Sequence, residues 1–473
     1  MKNFKKSVSI ILSAATIVGL MSGCSGNKAA TGTSSTPAPA STAASSDKTK
    51  ISVWTANRSD ADYAQAQVKN YNDTNKDGVQ IEYSIYSDNY QQTLELSYAS
   101  GNAPDVFFDT GDFFTKYVKQ GYFLPIDKYM TDDYKKRFGD GGFIDGINVI
   151  DGKTYTLGAI GTTPRLIYNK GVFQKAGISA PPKSMKEFVD DTKQITNKLK
   201  GDGVYGFAAN LKSPNSAIQR TIVQILERSG SPIKEGFDFS KGQYDFTAYK
   251  PILEAWKDIF SSGAAFPGCE SLDIDPLRSQ FANGKIGMYI SWSHAEPAVY
   301  ANQFQTKEDW GVAQIPTIDG TVKGSQDINL ADKWLYINGK TKNPDKAWKA
   351  MEMFYSDSFL SGYYEKGLSV VTVPSVLKVA KAPETIQKNP ELAFTNTDQT
   401  WPNLPTSVSP EGQNYYSVFA SIMFGAEKNT DSALADVTKR YNAAYDKAVA
   451  DGKTSKIKYD GFDPANPGKS LTK

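Results

Sequence analysis

The chain has 473 residues, which is enough for two domains of ordinary size, and its 53 basic and 51 acidic residues nearly cancel. This near-neutral balance argues against nucleic acid as a partner, because phosphate binding requires a clustered positive excess. With one histidine and two cysteines in the chain, we predict no metal site and no cofactor.

The first 23 residues have the layout of an export signal. Three lysines within the first six residues precede an uncharged apolar stretch, 8–20, that is too short to span a bilayer comfortably. Ser22 and Gly23 then precede Cys24, an order typical of a lipobox, whose cysteine receives a diacylglyceryl thioether. The alternative is an ordinary signal peptide with an incidental cysteine. We predict that residues 1–23 are removed and that Cys24 is lipidated.

Residues 24–50 are rich in Ala, Ser, Thr, Pro, Gly and Lys and contain no large apolar residue. Such a segment cannot bury enough surface to offset the entropy cost of ordering it, so we predict a disordered tether. Acyl chains on Cys24 would then hold the protein on the extracellular face of the cell membrane by its lipid anchor alone. Cys269 would have no intramolecular disulfide partner.

Beyond the tether, strand patterns alternate with helix patterns. Strands are predicted at 51–54, 79–86, 105–108, 166–168, 286–291, 310–315 and 334–337. Helices are predicted at 61–71, 184–198, 216–229, 413–428 and 431–450, with another beginning at Asn343-Pro344. The Asp-Gly pair at 151–152 predicts a hairpin turn. This alternation indicates an α/β fold with parallel sheets covered by helices on both faces.

Several short segments carry a family resemblance. They are 52–54, 103–106, 121–127, 166–170, 176–178, 281–288 and 310–316. In order and spacing they resemble family 1 extracellular solute-binding proteins, the group that contains the maltose-binding proteins, over residues 50–450.

The resemblance implies a type II periplasmic-binding-protein-like fold, in which a ligand cleft separates two α/β lobes. The first lobe would comprise 51–160 and 317–370, the second 165–312 and 374–460, and 461–473 would form a tail. Three chain crossings would join the lobes, at 160–165, 312–316 and 368–374. Ligand clefts in open α/β sheets also lie at the carboxyl ends of strands, which places the site at the same edge.

Polar side chains follow two of the predicted strands. Asn57, Arg58 and Asp60 come after the first strand, and Asp109 and Asp112 come after the strand that ends at residue 108. Carboxylate, amide and guanidinium groups of this kind bind sugar hydroxyls, and the family has ligand-binding polar residues in both loops. For Asp60 and Asp112 the alternative is helix capping.

The resemblance implies further ligand-binding positions. These are Thr162, Trp292, His294, Asp332, Lys333 and Tyr415. The Trp292 indole would stack on a sugar ring, with a core residue as the alternative that we disfavour, and the alternative for His294 is a satisfied polar residue. Many relatives have two glycines where this chain has Asp332 and Lys333, so this pair departs from the family pattern.

A calcium-loop pattern begins at Asp73 and runs through Gly78, but its twelfth position is Ser84 where an EF-hand has glutamate. A turn between a helix and a strand explains the same residues, and we favour the turn.

These patterns predict a monomeric solute-binding protein that captures a carbohydrate by hinge closure and passes it to the permease subunits of an ABC importer. Two alternatives are a surface lipoprotein that reports a sugar to a membrane sensor and a surface glycosidase. The glycosidase is disfavoured because Asp109 and Asp112 lie on one loop and would not flank a scissile bond.

Overall fold

The computed structural model describes residues 48–86, 89–109, 114–139, 142–144, 147–328 and 334–472. The predicted signal, the predicted tether and the sites at Cys24, Asp112, Asp332 and Lys333 lie outside these ranges. None of the helices in the described ranges combines the length and the apolar character that a bilayer span requires.

The strands are short, and each of the seven predicted strands has a counterpart among them. In chain order they are β1 (Thr49–Thr55), β2 (Val79–Ile85), β3 (Val106–Asp109), β4 (Val149–Ile150), β5 (Lys153–Thr154), β6 (Ile160–Gly161), β7 (Pro164–Asn169), β8 (Tyr205–Phe207), β9 (Ile233–Lys234), β10 (Phe237–Asp238), β11 (Gln243–Tyr244), β12 (Ile286–Trp292), β13 (Trp310–Ala313), β14 (Gln326–Asp327), β15 (Trp334–Ile337), β16 (Val370–Val371) and β17 (Asp398–Gln399).

The helices range from a single turn to 21 residues. They are α1 (Ala61–Thr74), α2 (Tyr90–Ser100), α3 (Phe114–Lys119), α4 (Asp132–Lys136), α5 (Lys170–Ala176), α6 (Met185–Leu199), α7 (Pro214–Ile218), α8 (Gln224–Arg228), α9 (Lys250–Ser261), α10 (Ile274–Ala282), α11 (Glu296–Ala298), α12 (Pro344–Phe354), α13 (Asp357–Glu365), α14 (Pro374–Leu377), α15 (Glu384–Lys388), α16 (Tyr415–Met423) and α17 (Thr430–Ala450).

Local chemistry explains where several elements begin and end. The predicted capping box at the start of α6 is confirmed, because Ser184 Oγ accepts from the Glu187 backbone N–H and the Glu187 carboxylate accepts from the Ser184 N–H. The predicted hairpin is also confirmed, since Asp151 and Gly152 have φ angles of 51° and 70° between β4 and β5. The start of α6 is therefore determined by hydrogen bonds between nearby residues, and the turn between β4 and β5 by the positive φ angles that Asp-Gly allows.

The predicted helix at 216–229 is interrupted. A π-helical segment, Gln219–Val223, separates α7 from α8, and a second π-helical segment, Val299–Gln303, follows α11. Each π-helical turn accommodates an extra residue compared with an α-helix, and such turns occur frequently at functional sites.

The calcium-loop pattern that starts at Asp73 forms a turn, as favoured from the sequence. Asp73 forms an ion pair with Lys69 at 2.5 Å, and Asp77 accepts a hydrogen bond from the Tyr71 hydroxyl at 2.9 Å. The Asn75 amide donates to the Tyr71 and Val79 carbonyl groups, which joins α1 to β2.

Two separate sheets organise the molecule, and we use them to define its lobes. The first lobe contains the sheet β15-β3-β1-β2, and the second lobe contains the sheet β13-β7-β12-β8. The prediction of purely parallel sheets is wrong: β15 is antiparallel to β3, and β7 is antiparallel to both of its neighbours. The chain returns to each sheet from the other lobe, which allows antiparallel pairing without the βαβ crossover that parallel strands require.

Each lobe has its own buried core. In β1 the side chains of Ile51 and Val53 are fully buried and alternate with partly exposed neighbours, so one face of the strand covers the core of the first lobe. In the second lobe, α6 packs its buried face, which includes Phe188 and Ile195, against the core that holds Phe207. The separation of the two cores matches a two-lobe α/β fold.

Two of the predicted crossings pair with each other. β6 and β16 are antiparallel, with Gly161 opposite Val370 and Ile160 opposite Val371. The Thr372 backbone N–H extends this ladder by donating to the Ala159 carbonyl at 2.9 Å. The chain segments at 160–165 and 368–374 therefore run between the lobes side by side.

The third crossing differs from the prediction at 312–316. Thr317 exchanges backbone hydrogen bonds with Lys183 and Met185 of the second lobe, and β14 pairs with β17 of the same lobe. The Ile328 N–H still donates to Gln399 O, whereas β15 belongs to the first sheet. Residues 317–328 therefore belong with the second lobe, because their backbone hydrogen bonds are satisfied there, and the strand that begins at residue 334 belongs with the first lobe.

The predicted tail is part of the second lobe. Phe462 is buried in that lobe's core, where its ring lies 5.3 Å from the ring of Phe239. The Ser325 backbone N–H donates to the Pro464 carbonyl at 2.8 Å. The Phe462 ring and this backbone hydrogen bond therefore attach the segment that was expected to be a tail to the second lobe.

Candidate functional site

A large cleft lies between the two lobes. It encloses about 2460 Å³ of empty space, part of it open to solvent. The first lobe contributes lining residues from 56–67 and 366–368, and the second lobe contributes them from 210–220, 273–278 and 291–303.

The loop that follows β1 forms the wall on the first lobe. Asn57 and the exposed Arg58 line the cleft, and the Asn57 N–H donates to the Thr55 hydroxyl at 3.0 Å. This is the loop that the sequence predicted, and it reaches the cleft because it leaves the carboxyl end of a strand.

Asp60 lies in the same wall but is largely buried, and its carboxylate accepts a hydrogen bond from the Tyr363 hydroxyl at 2.6 Å. It occupies the N-cap position of α1 without making a side-chain capping bond. Asp60 therefore has the N-cap position of the capping alternative, but its carboxylate bonds Tyr363 and not the helix backbone. The bond to Tyr363 instead ties the start of α1 to α13 and steadies the loop that carries Arg58.

Trp292 lies in the wall of the second lobe. It is the last residue of β12, pairs with Pro164 across the sheet, and is only partly buried. The preceding residues of that strand, from Ile286 to Ser291, are all buried. The structure thus places the indole at the cleft edge of the strand and not in the core.

Thr162 and His294 lie together near the first crossing. Thr162 is 1% exposed and does not line the cleft, but its hydroxyl lies 2.9 Å from His294 Nδ1 and 3.4 Å from the Ser293 hydroxyl. His294 lines the cleft and is partly buried. Thr162 therefore positions the His294 side chain in the cleft without lining the cleft itself.

Tyr415 is placed away from the cleft, in contrast to the prediction. Its side chain is 4% exposed and packs against Phe246 and Phe419, and its hydroxyl donates to Glu235 at 2.7 Å. The aromatic residue at the start of α16 belongs to the core because its helix packs on α9.

Asp109 ends β3, and its backbone pairs with Trp334.

Several polar residues of the second-lobe wall were not predicted from the sequence. Among them are Asn210, Ser213, Ser216 and Arg220. The rule that identified Asn57 also identifies Asn210, since it follows β8, a parallel neighbour of β12. Arg220 had only a weak signal, because it is one of several polar residues in a predicted helix.

Two guanidinium groups give this wall its charge. Arg278 Nη2 lies 2.8 Å from Glu296 Oε2, and Arg278 Nη1 lies 3.3 Å from Asp275. Burial opposes the charged form of Arg278, but the Glu296 carboxylate outweighs burial and raises its pKa. Burial lowers the pKa of Arg220 to about 10, so that this side chain is still a cation at neutral pH.

Within the described ranges, no group of three or more His, Cys, Asp and Glu side chains is placed to hold a metal ion. The Asp273 carboxylate of the cleft is engaged by Lys212 at 3.0 Å and by the Ile274 N–H at 2.9 Å. The site is therefore a wide, polar, partly aromatic cleft between two hinged lobes.

This geometry agrees with a family assignment. Residues 55–358, more than half of the chain, match the sequence profile described as "Bacterial extracellular solute-binding protein". The chain is a bacterial extracellular solute-binding protein. The resemblance predicted from the sequence is confirmed, and so is the two-lobe type II fold.

Relatives and solved structures share this fold at low identity. The solute-binding protein is 26% identical over 296 residues to a binding protein of Brucella abortus, covering 61% of this chain and 67% of the relative. It is 24% identical over 320 residues to the diacetylchitobiose binding protein DasA of Streptomyces coelicolor, covering 66% and 70%. RafE, a solute-binding protein of Streptococcus pneumoniae, in complex with raffinose superposes with a TM-score of 0.67 at 16% identity, covering 84% of this chain and 100% of that structure.

Proposed function

We propose that this solute-binding protein captures an oligosaccharide in the cleft between its lobes and passes it to the permease subunits of an ABC importer. The observation that carries the proposal is the arrangement of the cleft, with the Trp292 indole on one wall and the polar loop that holds Asn57 and Arg58 on the other.

The two walls offer the two kinds of contact that sugars use. An indole presents a flat apolar face that covers the C–H face of a pyranose ring, and amide, hydroxyl and guanidinium groups bond its hydroxyls. The space between the lobes, about 2460 Å³ including the part that is open to solvent, leaves room for more than one sugar ring. The oligosaccharides named for DasA and RafE, diacetylchitobiose and raffinose, support the same ligand class.

Capture would proceed by closure of the lobes. The paired crossings β6 and β16 form a short ribbon about which one lobe can rotate relative to the other, as in hinge-type binding proteins. We propose lobes of 51–160 with 334–370 and 165–328 with 374–472, acting as a monomer. The closed state would present both lobes together to the permease.

We propose that the cleft does no chemistry. A glycosidase needs a general acid whose pKa is raised, in partnership with a second carboxylate. Lys212 and the Ile274 N–H instead hold the pKa of Asp273 below its usual value, and Arg278 pairs with Asp275. Asp273 is thus stabilised in the ionised form, which suits hydrogen bonding to hydroxyls.

A thermal-shift screen of the soluble mature chain against neutral and acidic oligosaccharides tests the function. A ligand at a hundredfold excess over its Kd should stabilise the protein by about 2.7 kcal/mol, a shift that is easily measured. Calorimetry should then give one site per chain, and incubation with the bound sugar should release no reducing ends. Failure of every sugar to bind, with the folded protein verified, would contradict the carbohydrate assignment, and steady release of reducing ends would contradict the absence of catalysis.

We also propose that Cys24 carries the lipid anchor on the extracellular face of the membrane. Replacing Cys24 with alanine should move the protein from the membrane fraction to the medium or the soluble fraction, because the acyl chains are lost. Labelled palmitate should be incorporated into the wild-type chain and not into Cys24→Ala.

Cys269→Ala is the matched control, since Cys269 is buried in the second lobe and its thiol contacts only the Phe266 carbonyl and the Ala209 N–H among the hydrogen-bonding groups described. This variant should stay in the membrane fraction and keep its label. Equal membrane retention of Cys24→Ala and the wild type would show that the anchor lies elsewhere.

A further inference from the structure

Arg220 is a buried cation in the wall of the cleft. Its side chain lies in the π-helical segment Gln219–Val223, the residue is 4% exposed, and it lines the space between the lobes. Nε donates to the Ile290 carbonyl at 3.1 Å, Nη1 donates to the Ser216 hydroxyl at 3.0 Å, and Nη2 donates to the Asn210 side-chain oxygen. These contacts hold the guanidinium group rigidly against the end of β12.

All three acceptors of Arg220 are neutral. A guanidinium has five N–H donors, and these contacts use three of them. In the described ranges no carboxylate lies within 4.0 Å of the Arg220 nitrogens, whereas the neighbouring Arg278 pairs with both Glu296 and Asp275. Two N–H donors of Arg220 therefore have no protein acceptor among the described residues.

Arg220 has no direct counter-ion among the described residues of this wall. The side chain of the neighbouring Arg278 is 13% exposed and pairs directly with Glu296, which is fully buried, so the Glu296 carboxylate attracts Arg220 without contacting it. Asp273 lies on the same wall but is paired with Lys212. Burial of a guanidinium without a direct counter-ion is costly in free energy. Because Arg220 is fixed by neutral acceptors in a binding cleft and has no contacting carboxylate in the part of the chain that the structure describes, it indicates that an anionic ligand completes the site.

We infer that this cleft selects acidic oligosaccharides, with the Arg220 guanidinium binding a carboxylate of a uronic acid residue. The inference rests on the proposed function and narrows its ligand class. A carboxylate fits because it accepts two parallel N–H hydrogen bonds from one guanidinium. Since its contacts already order the Arg220 side chain, ligand binding costs little of that side chain's conformational entropy. A sulfate ester would offer the same charge with tetrahedral geometry and is a second arm of the test.

The test compares matched sugars that differ only in charge. Calorimetry would measure binding of trigalacturonate and of its carboxyl-reduced neutral trisaccharide, and of glucuronic-acid-substituted xylotriose and xylotriose. A sulfated xylotriose serves as the sulfate arm. For the wild-type protein we expect the acidic member of at least one uronate pair to bind about tenfold or more tightly than its neutral partner, with the difference shrinking between 50 and 500 mM salt.

Arg220→Gln keeps hydrogen-bonding capacity and removes the charge. We expect this substitution to raise the Kd of the acidic sugar by about thirtyfold or more and the Kd of the neutral sugar by less than about fivefold. The preference for the acidic sugar should then disappear. Arg220→Lys keeps the charge without the paired donors and should retain part of the preference. Arg440→Gln, which removes a cation on α17 paired with Asp436, controls for net charge and should leave the preference unchanged.

The outcomes separate the inference from the proposed function. Neutral sugars that bind as tightly as their acidic partners to the wild type would overturn the inference and leave oligosaccharide capture intact. An equal loss of affinity for the acidic and the neutral sugar in Arg220→Gln would also overturn the inference. So would tighter binding of the sulfated xylotriose than of the uronates. If Arg220→Gln fails to fold, the wild-type preference and Arg220→Lys still decide the matter. Failure of every sugar, neutral and acidic, would contradict the proposed function itself.

Discussion

Replacing Arg165 with methionine is expected to lower the free energy of unfolding by about 3–5 kcal/mol, because it leaves a buried carboxylate without its cation. Arg165 and Asp398 form an ion pair in which both side chains are 0% exposed, with Nη2 to Oδ2 at 2.7 Å and Nη1 to Oδ1 at 3.0 Å. The guanidinium also donates to the carbonyl groups of Pro164, Ala393 and Glu391. These bonds fasten β7, next to the first crossing, to the segment before β17.

Urea unfolding at pH 7, followed by fluorescence and circular dichroism, measures the loss. Arg440→Met is the matched control, since the Arg440–Asp436 pair is largely exposed on the aspartate side and should contribute less than about 1 kcal/mol. Adding Asp398→Asn to the Arg165 variant should recover part of the loss, because a neutral amide costs less to bury than an unpaired carboxylate. A loss below about 1 kcal/mol for Arg165→Met would show that the pair does not stabilise the lobe.

The pH dependence of this pair has a definite sign. Burial alone would raise the pKa of Asp398, but the hydrogen bonds and charge of Arg165 outweigh burial and hold that pKa below its usual value. A carboxyl group with a depressed pKa stabilises the fold at pH values above its unfolded pKa of about 3.9. The stability difference between the wild type and Asp398→Asn should therefore shrink as the pH falls from 4 through the folded pKa.

Trp292→Ala is expected to weaken oligosaccharide binding by about 2–4 kcal/mol, which is tens-fold to several hundredfold in Kd. The variant loses the flat apolar surface at the cleft edge of β12 on which a sugar ring would stack. Because the indole is only partly buried, the loss of stability should be smaller than the roughly 3–5 kcal/mol of a fully buried tryptophan.

Calorimetry on the folded variant, together with its urea midpoint, separates the two effects. Trp256→Phe is a useful control, since Trp256 is a core residue of the second lobe with 1% exposure. That substitution should lower stability and leave affinity unchanged. Unchanged affinity in Trp292→Ala would remove the indole from the site and leave the polar loop of Asn57 as the main recognition element.

The sequence predicted local features well because their causes are local. The capping box at Ser184 and the Asp-Gly turn at 151–152 depend on hydrogen bonds and backbone angles within a few residues. The polar loop after β1 and the position of Trp292 followed from the rule that strand ends form the cleft. Family resemblance supplied the two-lobe fold.

Features that depend on distant partners were missed. The chain does not leave the second lobe at 312–316 as expected, since segments far away in sequence, around Lys183 and Gln399, hold residues 317–328 there. Tyr415 has an aromatic ring suited to stacking, yet the packing of its helix places it in the core. Arg220 reaches the cleft through a π-helical turn that the helical periodicity does not indicate.

The position of His294 also has a practical consequence. It is the one histidine of the entire chain, and it lies in the cleft wall with its ring held against Thr162 of the first crossing. Its imidazole carbon-bound protons would give isolated resonances in a proton NMR spectrum, with no assignment needed. The protein thus carries a built-in spectroscopic probe that senses both occupancy of the cleft and movement of the hinge, and titration with a sugar could be followed on the unlabelled, unmodified chain.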